Sequence, residues 1–182
     1  MRRRPSEPTE MPAAVGRGAA ELVAELTARG LTIAVAESLT GGLLVAELIR
    51  PAGASAVVLG GVVAYDTELK RTLLGVDGDL LAAHGPVHPD VAKQLARNVR
   101  DRLAVAGRPA DLGIATTGVA GPDPQGAQQP GTVYLGLSFG EETRMRELHL
   151  SGSRDEIRAV TVAEAIRWLG EALERGLAAW AE

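Results

Sequence analysis

The stretch AVAESLTGG, residues 34–42, decides how the rest of this 182-residue chain is interpreted. The apolar run that leads into it, residues 31–36, is typical of a buried strand. The apolar-periodic run that follows it indicates a helix ending before Pro51. Polar side chains and paired glycines thus fall at the carboxyl end of a strand, where open α/β sheets tend to place their sites. Ser38 is therefore the first candidate for chemistry.

Helices and strands are predicted to alternate on both sides of this stretch. An amphipathic helix that ends at Gly30 precedes it. A second strand over residues 56–65 is interrupted by Gly60-Gly61, which indicates a bulge or a close approach of another backbone. The patterns beyond it predict three helical segments, over residues 66–74, 80–83 and 89 to about 105. A further buried strand, the second central one after residues 31–36, is predicted over residues 112–115.

The last third of the chain adds a loop, a hairpin and a long helix. Residues 118–131 are rich in glycine and proline without periodicity, and a structureless loop of this length is often functional. Alternation over residues 133–139 predicts a strand, and residues 143–150 predict its hairpin partner. Ser153 and Glu156 have capping-box spacing. The helix they open is predicted to bury Val162, Ile166, Leu169, Leu173 and Leu177.

This order of elements predicts one domain, a three-layer α/β/α sandwich with a mixed sheet. It is expected over residues 14–182, behind a disordered tail of residues 1–13 that is basic but diluted by proline and glutamate. Only five of the 182 residues are aromatic, so the core must consist of Leu, Val, Ile and Ala. The same shortage argues against a base-stacking surface for single-stranded nucleic acid.

Charge and composition restrict the class of function. A net charge of −4 offers no electrostatic basis for general nucleic-acid binding. No apolar stretch reaches the ~20 residues of a membrane-spanning helix, and no membrane partner is expected. The absence of cysteine excludes disulfides, zinc–thiolate sites and a cysteine nucleophile, and it fits a cytoplasmic location.

Two interpretations of Ser38 are open on spacing alone. A turn entering a helix offers free backbone amides that suit an oxyanion or a phosphate, and Gly41 and Gly42 allow a ligand to approach closely. Alternatively, Ser38 or Thr40 caps the following helix. The stretch matches neither the P-loop motif nor the G-x-S-x-G nucleophile elbow.

A serine nucleophile needs a base, and the sequence offers few. None of the three histidines has a clear aspartate partner or metal-ligand spacing, so no metal is expected. Of the two lysines, Lys93 falls on the polar face of a helix, whereas Lys70 follows the second strand. Lys70 is either an exposed helix residue or a buried base with a lowered pKa. Arg154, in the first turn of the last helix, either binds an anion or pairs with a neighbouring carboxylate.

Taken together, the motifs resemble the C-terminal domain of the CinA family, which includes nicotinamide-nucleotide amidases. The likeness extends from about residue 20 to residue 173. Seven ordered segments carry it: AESLTGG (36–42), GGVVAY (60–65) with Lys70, LLGV (73–76), HGPV (84–87), TGVAGP (117–122), GTVY (131–134) and GSR (152–154).

The resemblance implies hydrolysis of the carboxamide of nicotinamide mononucleotide to nicotinate mononucleotide and ammonia, with no metal or organic cofactor. It implies that Ser38 is the nucleophile and Lys70 its base, with Tyr65 beside it. The implied nucleotide-binding residues are Glu37, Thr40, Gly41, Gly42, Thr117, Gly118, Gly121 and Arg154. It also implies a homo-oligomer, and the length suggests the stand-alone form rather than the fusion to a molybdopterin-binding-like domain.

The chain departs from the common family pattern at Leu39, Thr67 and His88, where cysteine, asparagine and serine are frequent. Leu39 favours serine over cysteine chemistry, and Thr67 bears on substrate preference. Two other functions are compatible with the residues. The same pocket could bind a nucleotide without turning it over, or it could hydrolyse a phosphate ester, although the sequence lacks a metal-binding carboxylate cluster.

Overall fold

The computed structural model describes residues 18–175, so the predicted tail and Leu177 lie outside the described part of the chain. Within residues 18–175 there are six α-helices, five strands and one 3₁₀ turn (Ala54–Ala56). The helices are α1 (Ala19–Arg29), α2 (Leu43–Ile49), α3 (Thr67–Thr72), α4 (Gly78–His84), α5 (Pro89–Arg102) and α6 (Arg154–Glu174). The strands are β1 (Ile33–Glu37), β2 (Val58–Val63), β3 (Leu112–Gly118), β4 (Thr132–Phe139) and β5 (Glu142–His149).

The five strands form one mixed sheet in the order β2-β1-β3-β4-β5. β1 is parallel to both of its neighbours, whereas β4 is antiparallel to β3 and β5. All five residues of β1 are buried, as expected for a central strand between two helical layers. The chain leaves β1 toward β2 on one side and later returns to β3 on the other, which makes the carboxyl end of β1 a topological switch point.

Helices cover both faces of the sheet. Leu22 of α1, Leu44 of α2 and Ile166 of α6 belong to one apolar cluster against the sheet. Leu81 of α4 and Leu95 of α5 belong to a second cluster, on the other face. The three-layer α/β/α sandwich with a mixed sheet is thus confirmed, and so is the aliphatic core. No helix among residues 18–175 combines the length and the apolar character needed to cross a bilayer.

The paired glycines of β2, Gly60 and Gly61, mark both a bulge and a close approach of another element, the two features that the sequence indicates. The register between β1 and β2 shifts after Ile33, so that Ala34 lies opposite Gly60 and Leu59 is skipped. A Cβ atom at Gly61 would lie 3.0 Å from the Cβ of Val45 on α2. Gly61 therefore lets α2, the helix after the Ser38 turn, pack closely on the sheet.

Several element boundaries differ from the predicted ones, and the end of β3 bears most directly on the site. The apolar pattern predicts a strand over residues 112–115, but β3 continues to Gly118 because β4 pairs with it as far as Gly118–Val133. Thr117 therefore lies within the strand, and Gly118, which was predicted to begin the loop, is the last residue of β3. α5 ends at Arg102, before the predicted limit near residue 105, and the Ser153–Glu156 capping box is confirmed.

Candidate active site

Ser38 is the first residue after β1, and its backbone is tied to the neighbouring strand. Its amide donates to the carbonyl of Thr116 on β3, at 3.1 Å. The carboxyl ends of β1, β2 and β3 share one edge of the sheet because the three strands are parallel. That edge therefore brings together Ser38, Tyr65 just after β2, and Thr117 near the end of β3.

Lys70 reaches Ser38 from α3. Its Nζ donates to Ser38 Oγ at 3.1 Å and to the carbonyl of Ala64 at 2.7 Å. The residue is only 1% exposed, so the alternative of an exposed helix lysine is wrong. Burial lowers the pKa of Lys70 from 10.5 to about 8, against a smaller opposing effect of the Asp66 carboxylate. A substantial fraction of Lys70 is then neutral near pH 8 and can accept a proton.

Glu37 caps the helix that follows the turn. Its carboxylate, 1% exposed, accepts from the amides of Gly42 at 3.0 Å, Leu44 at 3.1 Å and Val45 at 2.8 Å. Neither Ser38 nor Thr40 is the cap, because Glu37 already satisfies the first amides of α2. The hydroxyl of Ser38 is thereby left to Lys70.

The turn itself leaves two amides without an acceptor. Gly41 and Gly42 both have positive φ, 60° and 97°, which glycine adopts without strain. The Gly41 amide donates back to the carbonyl of Ser38 at 3.1 Å. Within the described part of the chain, the amides of Leu39 and Thr40 donate to no acceptor, although these residues are only 3% and 0% exposed. Buried amides are rarely unpaired, so these two suit a bound anion.

A cavity of about 190 Å³ opens above Ser38 and Lys70. Its lining comes from the three strand ends, the loop before α5, the loop after β3 and the start of α6. The lining residues are Ser38, Leu39, Tyr65, Lys70, Pro86, Val87, Thr117, Gly118, Val119, Ala120, Gly121, Asp123, Gln125 and Arg154.

Arg154 and Tyr65 lie together at the edge of this cavity. The Arg154 guanidinium donates to the Tyr65 hydroxyl at 2.8 Å and to the Gly121 carbonyl at 2.8 Å. It thereby links the segment after β2 to the loop after β3. Both partners are uncharged, and within the described residues Arg154 makes no ion pair with Asp155 or Glu156. Of the two alternatives that the sequence leaves open for Arg154, this arrangement favours the binding of an anion.

The loop before α5 forms another wall. Thr117 Oγ1 donates to the carbonyl of Pro86 at 2.7 Å and so fixes that wall to β3. His88, where the family pattern has serine, caps α5 by accepting from the Asp90 amide at 3.3 Å. Its ring stacks on His84 with 4.6 Å between centroids. The departure at His88 therefore preserves a side-chain cap.

The structure brings seven of the eleven predicted site residues to the cavity: Ser38, Tyr65, Lys70, Thr117, Gly118, Gly121 and Arg154. The other four, Glu37, Thr40, Gly41 and Gly42, belong to the turn beneath and do not line it. A substrate-binding role for them stays a prediction. Thr67 is the first residue of α3 and is not in the lining either.

Residues that the sequence did not single out support the site from outside the cavity. Arg158 on α6 donates to the carbonyls of Leu39 and Thr40, at 3.0 and 3.2 Å. Thr116 Oγ1 shares a hydrogen bond of 2.8 Å with Thr40 Oγ1. The sequence contains only weak indications that these two residues belong to the site: Arg158 is one helical turn after Arg154, and Thr116 directly precedes Thr117. Asp123 and Gln125 were also missed because they lie in the unpatterned loop.

Comparison with known proteins agrees with this geometry. The family model described as the CinA C-terminal domain matches residues 17–173. A CinA-like protein of Frankia casuarinae is 47% identical over 141 residues, covering 78% of this chain and 31% of the relative. A putative competence-damage inducible protein of Geobacillus kaustophilus is 48% identical over 149 residues, covering 81% and 35%. The chain thus spans about a third of the length of these curated relatives.

Solved structures show the same fold. The competence/damage inducible protein CihA of Agrobacterium tumefaciens is 34% identical with a TM-score of 0.77, over 83% of this chain and 90% of that one. The competence damage-inducible protein A of Klebsiella pneumoniae is 34% identical with a TM-score of 0.74, over 90% and 99%. The matched residues include the whole cavity and the turn beneath it, and the chain belongs to the CinA C-terminal domain family.

Proposed function

We propose that this protein is an amidase that converts nicotinamide mononucleotide to nicotinate mononucleotide and ammonia, a step of pyridine-nucleotide salvage in the cytoplasm. The observation that carries the proposal is the 3.1 Å contact between the Nζ of buried Lys70 and the hydroxyl of Ser38. Among residues 18–175 Lys70 has no acidic partner in contact, and a lysine held in this way against a serine at a cavity floor is suited to proton transfer rather than to stabilising the fold. The family resemblance supports the choice of substrate.

The proposed reaction has two halves. Neutral Lys70 takes the proton of Ser38 as Oγ attacks the carboxamide carbon. The oxyanion is stabilised by the amide of Leu39, which lines the cavity, together with the amide of Thr40 in the turn directly beneath it. Protonated Lys70 then donates to the leaving nitrogen, the C–N bond breaks, and ammonia departs from an acyl ester on Ser38. Lys70 then deprotonates a water molecule that attacks the ester, the bond between the acyl carbon and Ser38 Oγ breaks, and Lys70 returns the proton to Oγ as the carboxylate product leaves.

The cavity also has the charge that a nucleotide needs. The phosphate of nicotinamide mononucleotide is an anion, and Arg154 offers a guanidinium at the edge of the cavity with neutral partners only. The carboxamide would lie at the floor, next to Ser38, and the phosphate at the edge, next to Arg154.

Ammonia release from nicotinamide mononucleotide tests the proposal. We expect activity in the wild type and a loss of at least about 10³-fold in Ser38→Ala and Lys70→Met, since each removes a reacting group. Ser55→Ala and Lys93→Ala are the matched controls, because both side chains lie on the surface away from the cavity. Full activity in Ser38→Ala or Lys70→Met would refute the mechanism.

The same samples separate the alternatives. A nucleotide-binding module without turnover would show a rise in melting temperature with nicotinamide mononucleotide but no ammonia above background. A phosphate-ester hydrolase would release phosphate instead. Either result from the wild type would overturn the proposal.

We also propose a homo-oligomer, on the family resemblance. Among the described residues, several large apolar side chains on α2, β2, α6 and in or just after α3 are exposed and available for contact with another copy: Leu43, Ile49, Val63, Leu69, Leu73 and Val160. Sedimentation equilibrium of the purified chain should give a mass above 18.9 kDa. A monomer throughout the micromolar range would contradict this part of the proposal.

A further inference from the structure

We infer that Arg158 is a positioning residue that orients and polarises both oxyanion-binding amides of the Ser38 turn. The inference rests on the proposed function, because it assigns Arg158 a part in the same reaction. Arg158 does not line the cavity, so it would act on substrate only through the turn.

The first of the two amides is controlled directly. Arg158 Nε donates to the carbonyl of Leu39 at 3.0 Å. In a planar trans peptide the N–H of the next residue points opposite to the C=O, so this contact fixes the Thr40 N–H on the side away from Arg158. A positive charge on the carbonyl oxygen also draws electron density through the peptide, which makes the Thr40 N–H a stronger donor.

The second amide is controlled through a relay of two hydrogen bonds. Arg158 Nη2 donates to the carbonyl of Thr40 at 3.2 Å. The other end of that peptide is the Gly41 N–H, which donates to the carbonyl of Ser38 at 3.1 Å. The Ser38 carbonyl in turn shares its peptide with the Leu39 N–H. Hydrogen-bonded peptides polarise one another, so the charge of Arg158 reaches the Leu39 amide as well.

The guanidinium is held firmly enough for this role. The Arg158 side chain is 25% exposed, and its Nη1 pairs with Asp155 at 3.2 Å, one turn earlier on α6. A Cβ atom at Gly41 would lie 3.4 Å from Nη2, so glycine at this position leaves the guanidinium room against the turn. Two carbonyls bound by one planar group require the fork geometry of arginine, which the single ammonium of lysine does not reproduce.

The turn gives an independent reason to expect a bound anion. The amides of Leu39 and Thr40 are the two that follow the nucleophile, and both are buried without an acceptor in the described part of the chain. Arg158 therefore acts on the free Thr40 amide directly and on the free Leu39 amide through the bound Gly41 N–H, whereas the amides that donate to Glu37 are not involved.

Steady-state kinetics of Arg158→Gln and Arg158→Lys test the inference. We expect kcat for ammonia release to fall roughly 10- to 100-fold in both variants, since an oxyanion donor is weakened rather than removed. KM should change less than about threefold, because the contacts with the ground-state nucleotide are unaffected. The inflection of the pH profile that belongs to Lys70 should stay in place.

Chemical rescue and a matched arginine distinguish this role from a structural one. Added guanidinium should restore part of kcat in Arg158→Ala, which leaves a space of the right shape, and should not restore it in Lys70→Ala. Arg167→Gln is the control, because Arg167 is on the same helix and pairs only with Glu164 and Glu171 in the described residues. It should leave kcat unchanged.

Two outcomes count against the proposals and are distinguishable. If the wild type releases ammonia and Arg158→Gln keeps the wild-type kcat, the inference on Arg158 is overturned. It is also overturned if Arg158→Gln no longer shows a cooperative melting transition and its kcat and substrate affinity are both lost, because Arg158 then supports the fold as a whole. If the wild type releases no ammonia, the proposed amidase function fails and takes the inference with it.

Discussion

At the scale of single residues, the pKa of Lys70 sets the pH dependence that we expect of the reaction. Lys70 must be neutral to accept the Ser38 proton, and its pKa is about 8. Log kcat/KM should therefore rise with unit slope below pH 8 and level off above it. Lys93→Ala should show the same profile. A profile that is flat from pH 6 to 9 would contradict the assignment of Lys70 as the base.

The sequence predicts best those site residues whose side chains would take part in the reaction, because only a few residue types can serve as nucleophile or base. Ser38 and Lys70 belong to the ordered motifs of the family, and the absence of cysteine leaves serine as the candidate nucleophile. Arg158 could not be predicted, because its partners are backbone carbonyls 118 and 119 residues away and impose no pattern on side chains. Glu37 was predicted to bind substrate, but its observed contacts are with amides of α2.

At the scale of elements, the short helix α2 depends on Glu37 for its start. Glu37→Gln replaces a charged acceptor by a neutral amide and should lower the free energy of unfolding by roughly 2 kcal/mol. Chemical denaturation checks this value. Glu47→Gln on the same helix is the control, since Glu47 pairs only with Arg50 at the surface among the described residues and should cost much less.

The Glu37 variant also separates capping from binding. If the carboxylate acts only as a cap, KM for nicotinamide mononucleotide should change little in Glu37→Gln at temperatures where the variant is folded. A large rise in KM with unchanged stability would contradict the assignment and favour the original prediction of substrate contact.

Hydrophobic periodicity predicted the existence and type of the elements better than their ends. β4 followed its apolar pattern closely, whereas α5 ended at Arg102, before its predicted limit. β3 was predicted too short because Thr116 and Thr117 are polar, and only pairing with β4 makes them part of the strand. Local sequence patterns contain no information about a partner that follows 15 or more residues later.

At the scale of the whole molecule, burying Lys70 makes stability depend on pH. The native pKa is about 8 and the ordinary value is 10.5. The unfolded chain therefore binds more protons than the native protein between these pH values, so stability should rise with pH across this window and not below it. The full gain is roughly 3 kcal/mol.

Lys70→Met is the reference for that measurement, since it keeps the length of the side chain without its charge. The difference in unfolding free energy between wild type and variant should shift by this amount between pH 7.5 and 10.5. Taking the difference cancels other groups that titrate there, such as Tyr134, whose pKa is raised by burial. A difference that is constant with pH would mean that Lys70 has the same pKa in the native and unfolded states, which would contradict the lowered native pKa.

The order of the strands was the main feature of the whole molecule that the sequence left open. α/β alternation predicted three layers and a mixed sheet, but the position of β1 between β2 and β3 depends on long-range pairing. That position places Ser38, Lys70 and Thr117 around one cavity. The sequence could therefore predict which residues belong to the candidate site, but not how they are arranged in space.

The scarcity of lysine has a practical consequence for spectroscopy. Lys70 and Lys93 are the only lysines in the sequence, and one is buried at the site while the other is on the surface. Selective ¹³C labelling of lysine should therefore yield two ε-carbon resonances, an internal probe and its own reference in one spectrum. The protein can thus report the protonation of its proposed base directly, without substrate, mutation or an assay of turnover.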